Sequence, residues 1–148
     1  MGGIACVNGQ QVVNRTPDIG KALSKRPKNR NDCTVVAVAI ACGVGYDTAY
    51  DALAGLGRIC SKGFWFPSGI RTVKHGDILG RHFHWAPLQA VKGERRITPQ
   101  RFCIDHPLGC YVLRLSGHVV TVVDGIVYDI GNPWGRCVYG FWTASIIC

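Results

Sequence analysis

The run Cys33-Thr34-Val35-Val36-Ala37-Val38-Ala39-Ile40-Ala41-Cys42-Gly43 contains no charged side chain. A helix built from it has no polar face to turn toward water, so residues 34–41 are predicted to form the buried central helix of a domain. Asn31 and Asp32 offer capping side chains just before it, and Gly43 supplies a residue suited to ending it. Cys33 then lies in the first turn, where the helix N-terminus carries roughly half a positive charge and favours thiolate over thiol. Cys42, inside the same apolar run, is read as a buried, space-filling thiol. Asp47 is expected to cap a second short helix over 48–54, closed by Gly55 and Gly57.

Far downstream, residues 119–123 and 126–130 are β-rich runs separated by Asp124-Gly125, a dipeptide that favours a type I′ hairpin. A two-residue loop pairs Val123 with Ile126, which sets Val120 opposite Asp129 and His118 opposite Gly131. Alternation places His118, Val120 and Val122 on one face, and cross-strand partners share a face, so Asp129 falls on the His118 side. A carboxylate there can orient an imidazole and hold its tautomer. Asp124 lies in the turn and cannot; Asn132 is the substitute orienter.

Upstream of this hairpin, residues 83–85 and 111–115 are predicted strands. Thr98-Pro99 opens a short helix that Pro107-Leu108-Gly109 stops, and residues 138–147 supply one or two closing strands. An aromatic loop, Gly63-Phe64-Trp65-Phe66-Pro67-Ser68-Gly69, is expected to line or underlie a cleft. The predicted class is α+β, helices first, then an antiparallel sheet of about four to six strands.

Asn31-Asp32-Cys33 through Leu53, with Cys110 through His118 and Val123 through Asp129, resembles the small papain-like proteins of bacteriophages and, remotely, the bacteriocin-processing peptidases, which carry an Asp-Cys pair at the nucleophile. The resemblance implies a papain-like fold whose N-terminal buried helix carries the cysteine and packs on the sheet. It also implies Cys33 as nucleophile, His118 as base and Asp129 as orienter. Papain-like enzymes usually place an oxyanion-hole glutamine six residues before the cysteine; here that position is Pro27. Asn31 or Asn29, beside the Cys33 backbone N–H, is expected to donate in its place.

At 148 residues the chain is expected to form one domain, with a basic arm at 1–30, the two helices at 31–57 and the sheet carrying His118 and Asp129 at 110–148. Hydrophobic residues make up 47%, which excludes a disordered chain. No apolar stretch approaches the roughly 20 residues of a membrane span, and the first residues lack the pattern of a signal peptide. The expected location is therefore the bacterial host cytoplasm or a phage particle. Seventeen basic residues oppose nine acidic ones, and the densest run is Lys21 to Arg30. Such a run can meet an acidic protein surface or nucleic acid, but no DNA-binding motif accompanies it, and nucleic acid is the lesser expectation.

Eight cysteines with no Cys-x-x-Cys spacing argue against a closed zinc site. His82-Phe83-His84, with His75 and His106, is the other metal-like grouping, but alternating strand histidines are more often surface residues; no metal and no cofactor is expected. Cys6 and Cys148, near the termini, are candidates for an inter-chain disulfide. Two function classes follow. One is a cysteine peptidase or amidase acting on a protein or peptide. The other is a structural phage protein of head, neck or tail that keeps the fold as a binding module against neighbouring virion subunits.

Overall fold

In the computed structural model, which describes residues 3–7, 9–24, 32–58, 77–129 and 131–147, the apolar run forms helix α1, Cys33–Cys42, and ends at Gly43 with φ 65°. Seven of its residues are buried, including Val35 and Val38 with no exposed surface. Burying one such side chain contributes about 1.5–3 kcal/mol. Helix α2, Tyr46–Gly55, follows at once, its first backbone N–H bonded to the Ile19 carbonyl at 2.8 Å. Its N-cap is Gly45, not Asp47. Asp47 lies inside the first turn and accepts a hydrogen bond from the Ser24 hydroxyl, so it is drawn away from the capping role.

Eight strands form one sheet: β1 Gly3–Val7, β2 Gln10–Arg15, β3 Asp77–Ile78, β4 Arg81–Pro87, β5 Cys110–Leu115, β6 His118–Val123, β7 Ile126–Tyr128 and β8 Gly140–Ile146, in the order β1-β2-β7-β6-β5-β8-β4-β3. Three expectations are corrected here. The sheet has eight strands rather than four to six. It is not wholly antiparallel, because β2 runs parallel to β7, with Asn14 opposite Val127 and Arg15 opposite Tyr128. Nor do helices come first, because much of the segment expected to be an arm is a β-hairpin, followed by a 3-10 turn at Lys21–Leu23. The cysteine helix is therefore not the N-terminal element. The hairpin is stabilised by adding β2 to the β7 edge, which buries Val12 and Asn14.

The register across Asp124-Gly125 is the expected one. Val123 pairs with Ile126 and Thr121 with Tyr128, and both turn residues have positive φ, 48° and 76°. Alternation sends successive β6 residues to opposite layers. Val119 joins α1 and α2 in one core cluster, while Val120 and Val122 pack with Phe102 of helix α3, Pro99–Asp105, in the other. As expected, the Thr98 side chain caps α3, accepting from the Arg101 N–H at 3.4 Å.

A buried hydrogen bond ties the middle of the cysteine helix to the histidine strand. The Thr121 hydroxyl, fully buried, donates to the Ala37 carbonyl at 2.9 Å. Thr121→Val keeps the side-chain shape but removes the donor, and is expected to cost about 1 kcal/mol in chemical denaturation with an unchanged m-value. No loss of stability would mean that this bond adds nothing to the packing of the two elements. Among the described residues, no single helix is long and apolar enough to cross a membrane.

Candidate active site

Cys33 is the first residue of α1, and His118 the first of β6, after the turn at Ser116-Gly117. The imidazole Nε2 lies 3.1 Å from Asp129 Oδ1, just beyond the end of β7. The Cys33 thiol lines the same cleft, within the ring's influence on its ionisation. With Nε2 committed to Asp129, Nδ1 is the nitrogen left for sulfur. Helix, strand and strand end thus bring the three expected residues into one line, in a cleft of about 240 Å³.

Burial works against a thiolate at Cys33, but the hydrogen bond and charge of His118, the Val119 backbone N–H and the Thr34 side chain outweigh it, and the thiol lies below its ordinary pKa. His118 moves the opposite way. Its hydrogen bond to Asp129, then that to Cys33, outweighs burial and pushes the imidazole up to about 9. Each group stabilises the charged form of the other, so the pair leans further toward thiolate and imidazolium than a separate thiol and imidazole would. The other thiols shielded wholly or partly from water contrast with this. Burial pushes Cys42 up to about 11 and Cys103 up to about 12, and raises Cys110.

Asp32 occupies the N-cap position of α1, but its side chain makes no capping bond. Its carboxylate is drawn instead to the Lys21 ammonium, at 2.7 Å, and the Tyr46 hydroxyl, which donates at 2.9 Å. The expected cap is therefore a brace between the 3-10 turn, α1 and α2. It leaves the first N–H groups of α1 without a side-chain cap from Asp32, beside the sulfur.

Asn14 holds Asp129 from behind. Only 3% exposed, it accepts from the Asp129 N–H at 3.1 Å and donates to the Gly131 carbonyl at 3.0 Å. The Arg15 carbonyl also accepts from the Asp129 N–H, at 3.2 Å. The sequence reading missed Asn14, although a polar residue sharing an inward strand face with Val12 is a usable signal, since buried amides need partners. Asn132, the substitute orienter, lines the cleft, but its carboxamide oxygen accepts from the Trp134 N–H at 3.0 Å, and Asp129 occupies the orienting place.

Several expected residues lie outside the described ones: the oxyanion candidates Asn29 and Asn31, the bases Lys25, Arg26, Lys28 and Arg30, the aromatic loop 63–69, His75 and Cys148. Among the described residues, no three His, Cys, Asp or Glu side chains converge as metal ligands. His82 pairs with Asp77 at 2.5 Å, and His106 stacks on Phe102 at 3.9 Å between ring centroids. Cys42 is half-buried rather than buried, its thiol directed at the Ile78 carbonyl at 3.4 Å. Cys6 is exposed on β1, and the six described free thiols include it. Comparison with protein-family models, curated proteins and solved structures found no match to this chain.

Proposed function

We propose that this chain is a papain-like thiol hydrolase, a cysteine peptidase or amidase of phage origin. The observation that carries the reading is the line Cys33–His118–Asp129, with the thiol pKa moved down and the imidazole pKa moved up. A thiol that burial alone perturbs moves the other way, as Cys103 does, and half-buried Cys42 also moves up.

The Cys33 thiolate attacks the carbonyl carbon of an amide, and the carbonyl oxygen takes the displaced electron pair. The Cys33 backbone N–H at the start of α1 is the donor placed to meet that oxyanion, with Asn31 or Asn29 as its companion. Collapse of the intermediate breaks the C–N bond as the His118 imidazolium gives its proton to the leaving amine, and a thioester to Cys33 remains. Neutral His118 then takes a proton from water as the hydroxide adds to the thioester carbon, and collapse releases the carboxylic acid and expels the Cys33 thiolate beside the His118 imidazolium. Asp129 holds the ring orientation through both halves. A protein or peptide substrate suits this chemistry, in the host cytoplasm or the phage particle.

A second reading, a virion component that keeps the fold as a binding module, has an observation of its own. The edge strand β1, Gly-Ile-Ala-Cys-Val, carries no charge and exposes Ile4 and Cys6, the kind of edge that pairs with another chain. Alkylation with iodoacetamide, read thiol by thiol by peptide mapping from pH 5 to 10, separates the readings. An ordinary thiol of pKa about 8.5 is only about 0.3% thiolate at pH 6. The hydrolase is expected to label Cys33 at pH 6 at least about tenfold faster than any other thiol. A Cys33 rate that climbs with pH like the rest favours the binding module.

A further inference from the structure

Arg136 lines the same cleft as Cys33, His118 and Asp129, on the segment that joins β7 to β8. Its backbone N–H is bonded to the Pro133 carbonyl at 3.3 Å, and its side chain is exposed. The other cleft charges are matched. Lys21 is held by Asp32, and Asp129 by His118. Among the described residues the Arg136 guanidinium has neither an ion-pair nor a hydrogen-bond partner. All nine acidic side chains of the chain lie among those residues, so no further Asp or Glu exists to neutralise it.

We infer that Arg136 makes this cleft selective for peptides bearing an aspartate or glutamate side chain close to the scissile bond. The inference rests on the hydrolase reading and names the substrate class of that same site. A guanidinium presents a planar fork of donors that fits a carboxylate through two parallel hydrogen bonds. An exposed, unmatched guanidinium keeps that fork free for a partner the substrate brings. The net charge of +8 acts in the same direction, since it draws acidic chains toward the surface before they dock.

The test uses the whole chain and epoxysuccinyl dipeptides extended on either side of the electrophile, each made in a glutamate and a glutamine version. Alkylation of Cys33 is followed by mass spectrometry. The quantity read is the Glu-to-Gln rate ratio within each protein, so a general change in thiol reactivity cancels. In the unmodified protein, one matched pair is expected to favour glutamate by roughly three- to tenfold at low ionic strength, with the ratio shrinking as salt is added. Arg136→Gln should bring the ratio close to one, and Arg136→Lys should retain part of it. Equal rates for all matched pairs in the unmodified protein, or a preference that survives Arg136→Gln, would overturn the inference and leave the hydrolase reading intact. Failure of every probe to alkylate Cys33 would remove the hydrolase reading, and this inference with it.

Discussion

On the hydrolase reading, replacing Cys33 by alanine is expected to abolish alkylation at this position and to lower amide cleavage by at least about 10³-fold, while the chain still folds. The loss is large because the thiolate is the atom that forms the covalent intermediate, and no neighbouring group can take its place. The cost in stability is small for reasons the structure supplies. Cys33 is the partly exposed first residue of α1, whose packing rests on the buried stretch behind it, and the Thr121 bond to Ala37 does not involve it. Removing one small group there is expected to cost about 1 kcal/mol or less. The substitution also has a reporter outside the lost activity. Cys33 contributes to the raised pKa of His118, so the imidazole should titrate below about 9 in the variant, which NMR of the ring protons can follow. Cleavage that persists in Cys33→Ala would transfer the chemistry to another residue.

Asp129→Ala is expected to lower amide cleavage by about 10²-fold and to change its pH profile in a direction that can be worked out beforehand. In the proposed mechanism cleavage requires the thiolate, which is lost as pH falls through the lowered Cys33 pKa, and the imidazolium, which is lost as pH rises through about 9. The rate in the unmodified protein is therefore bell-shaped, with its alkaline limb near 9. The hydrogen bond to Asp129 is the largest cause of the raised His118 pKa. Without it the imidazole falls toward the ordinary value of about 6.5, and the alkaline limb moves down with it. His118⁺ also holds the Cys33 thiol down, so the acid limb moves up and the bell narrows from both sides. Asp129→Asn, which keeps an acceptor but not the charge, should fall between the two. Both variants keep the backbone bonds from the Asp129 N–H to Asn14 and Arg15, so loss of fold does not mimic the result. Limbs that stay in place as the rate drops would reduce Asp129 to a structural role.

Of the basic run Lys21 to Arg30 that raised a nucleic-acid partner, Lys21 is paired with Asp32 and residues 25–30 lie outside the described ones.

Several features were legible in the residues because they are decided over a few positions. An all-apolar stretch ended by Gly43 has nowhere to go but a buried helix, and Thr98-Pro99 opens a helix by its own capping geometry. Asp124-Gly125 sets a two-residue turn, and a two-residue turn sets the register that puts Asp129 on the His118 side. Asn8-Gly9 is an equally local hairpin signal between β1 and β2.

What the chain order could not yield lies in pairings between distant segments. The parallel match of β2 with β7 brings Asn14 behind Asp129 across 115 residues, and Lys21 and Tyr46 turn Asp32 from a cap into a brace. Arg136 became the unmatched charge of the cleft only once every carboxylate near it had found another partner. Dihedral preferences and short-loop registers act within a turn or two of the chain, so the sequence by itself determined the cysteine helix and the histidine hairpin. The partners of a buried amide or carboxylate depend on which surfaces the whole fold removes from water, and only the tertiary structure decided those.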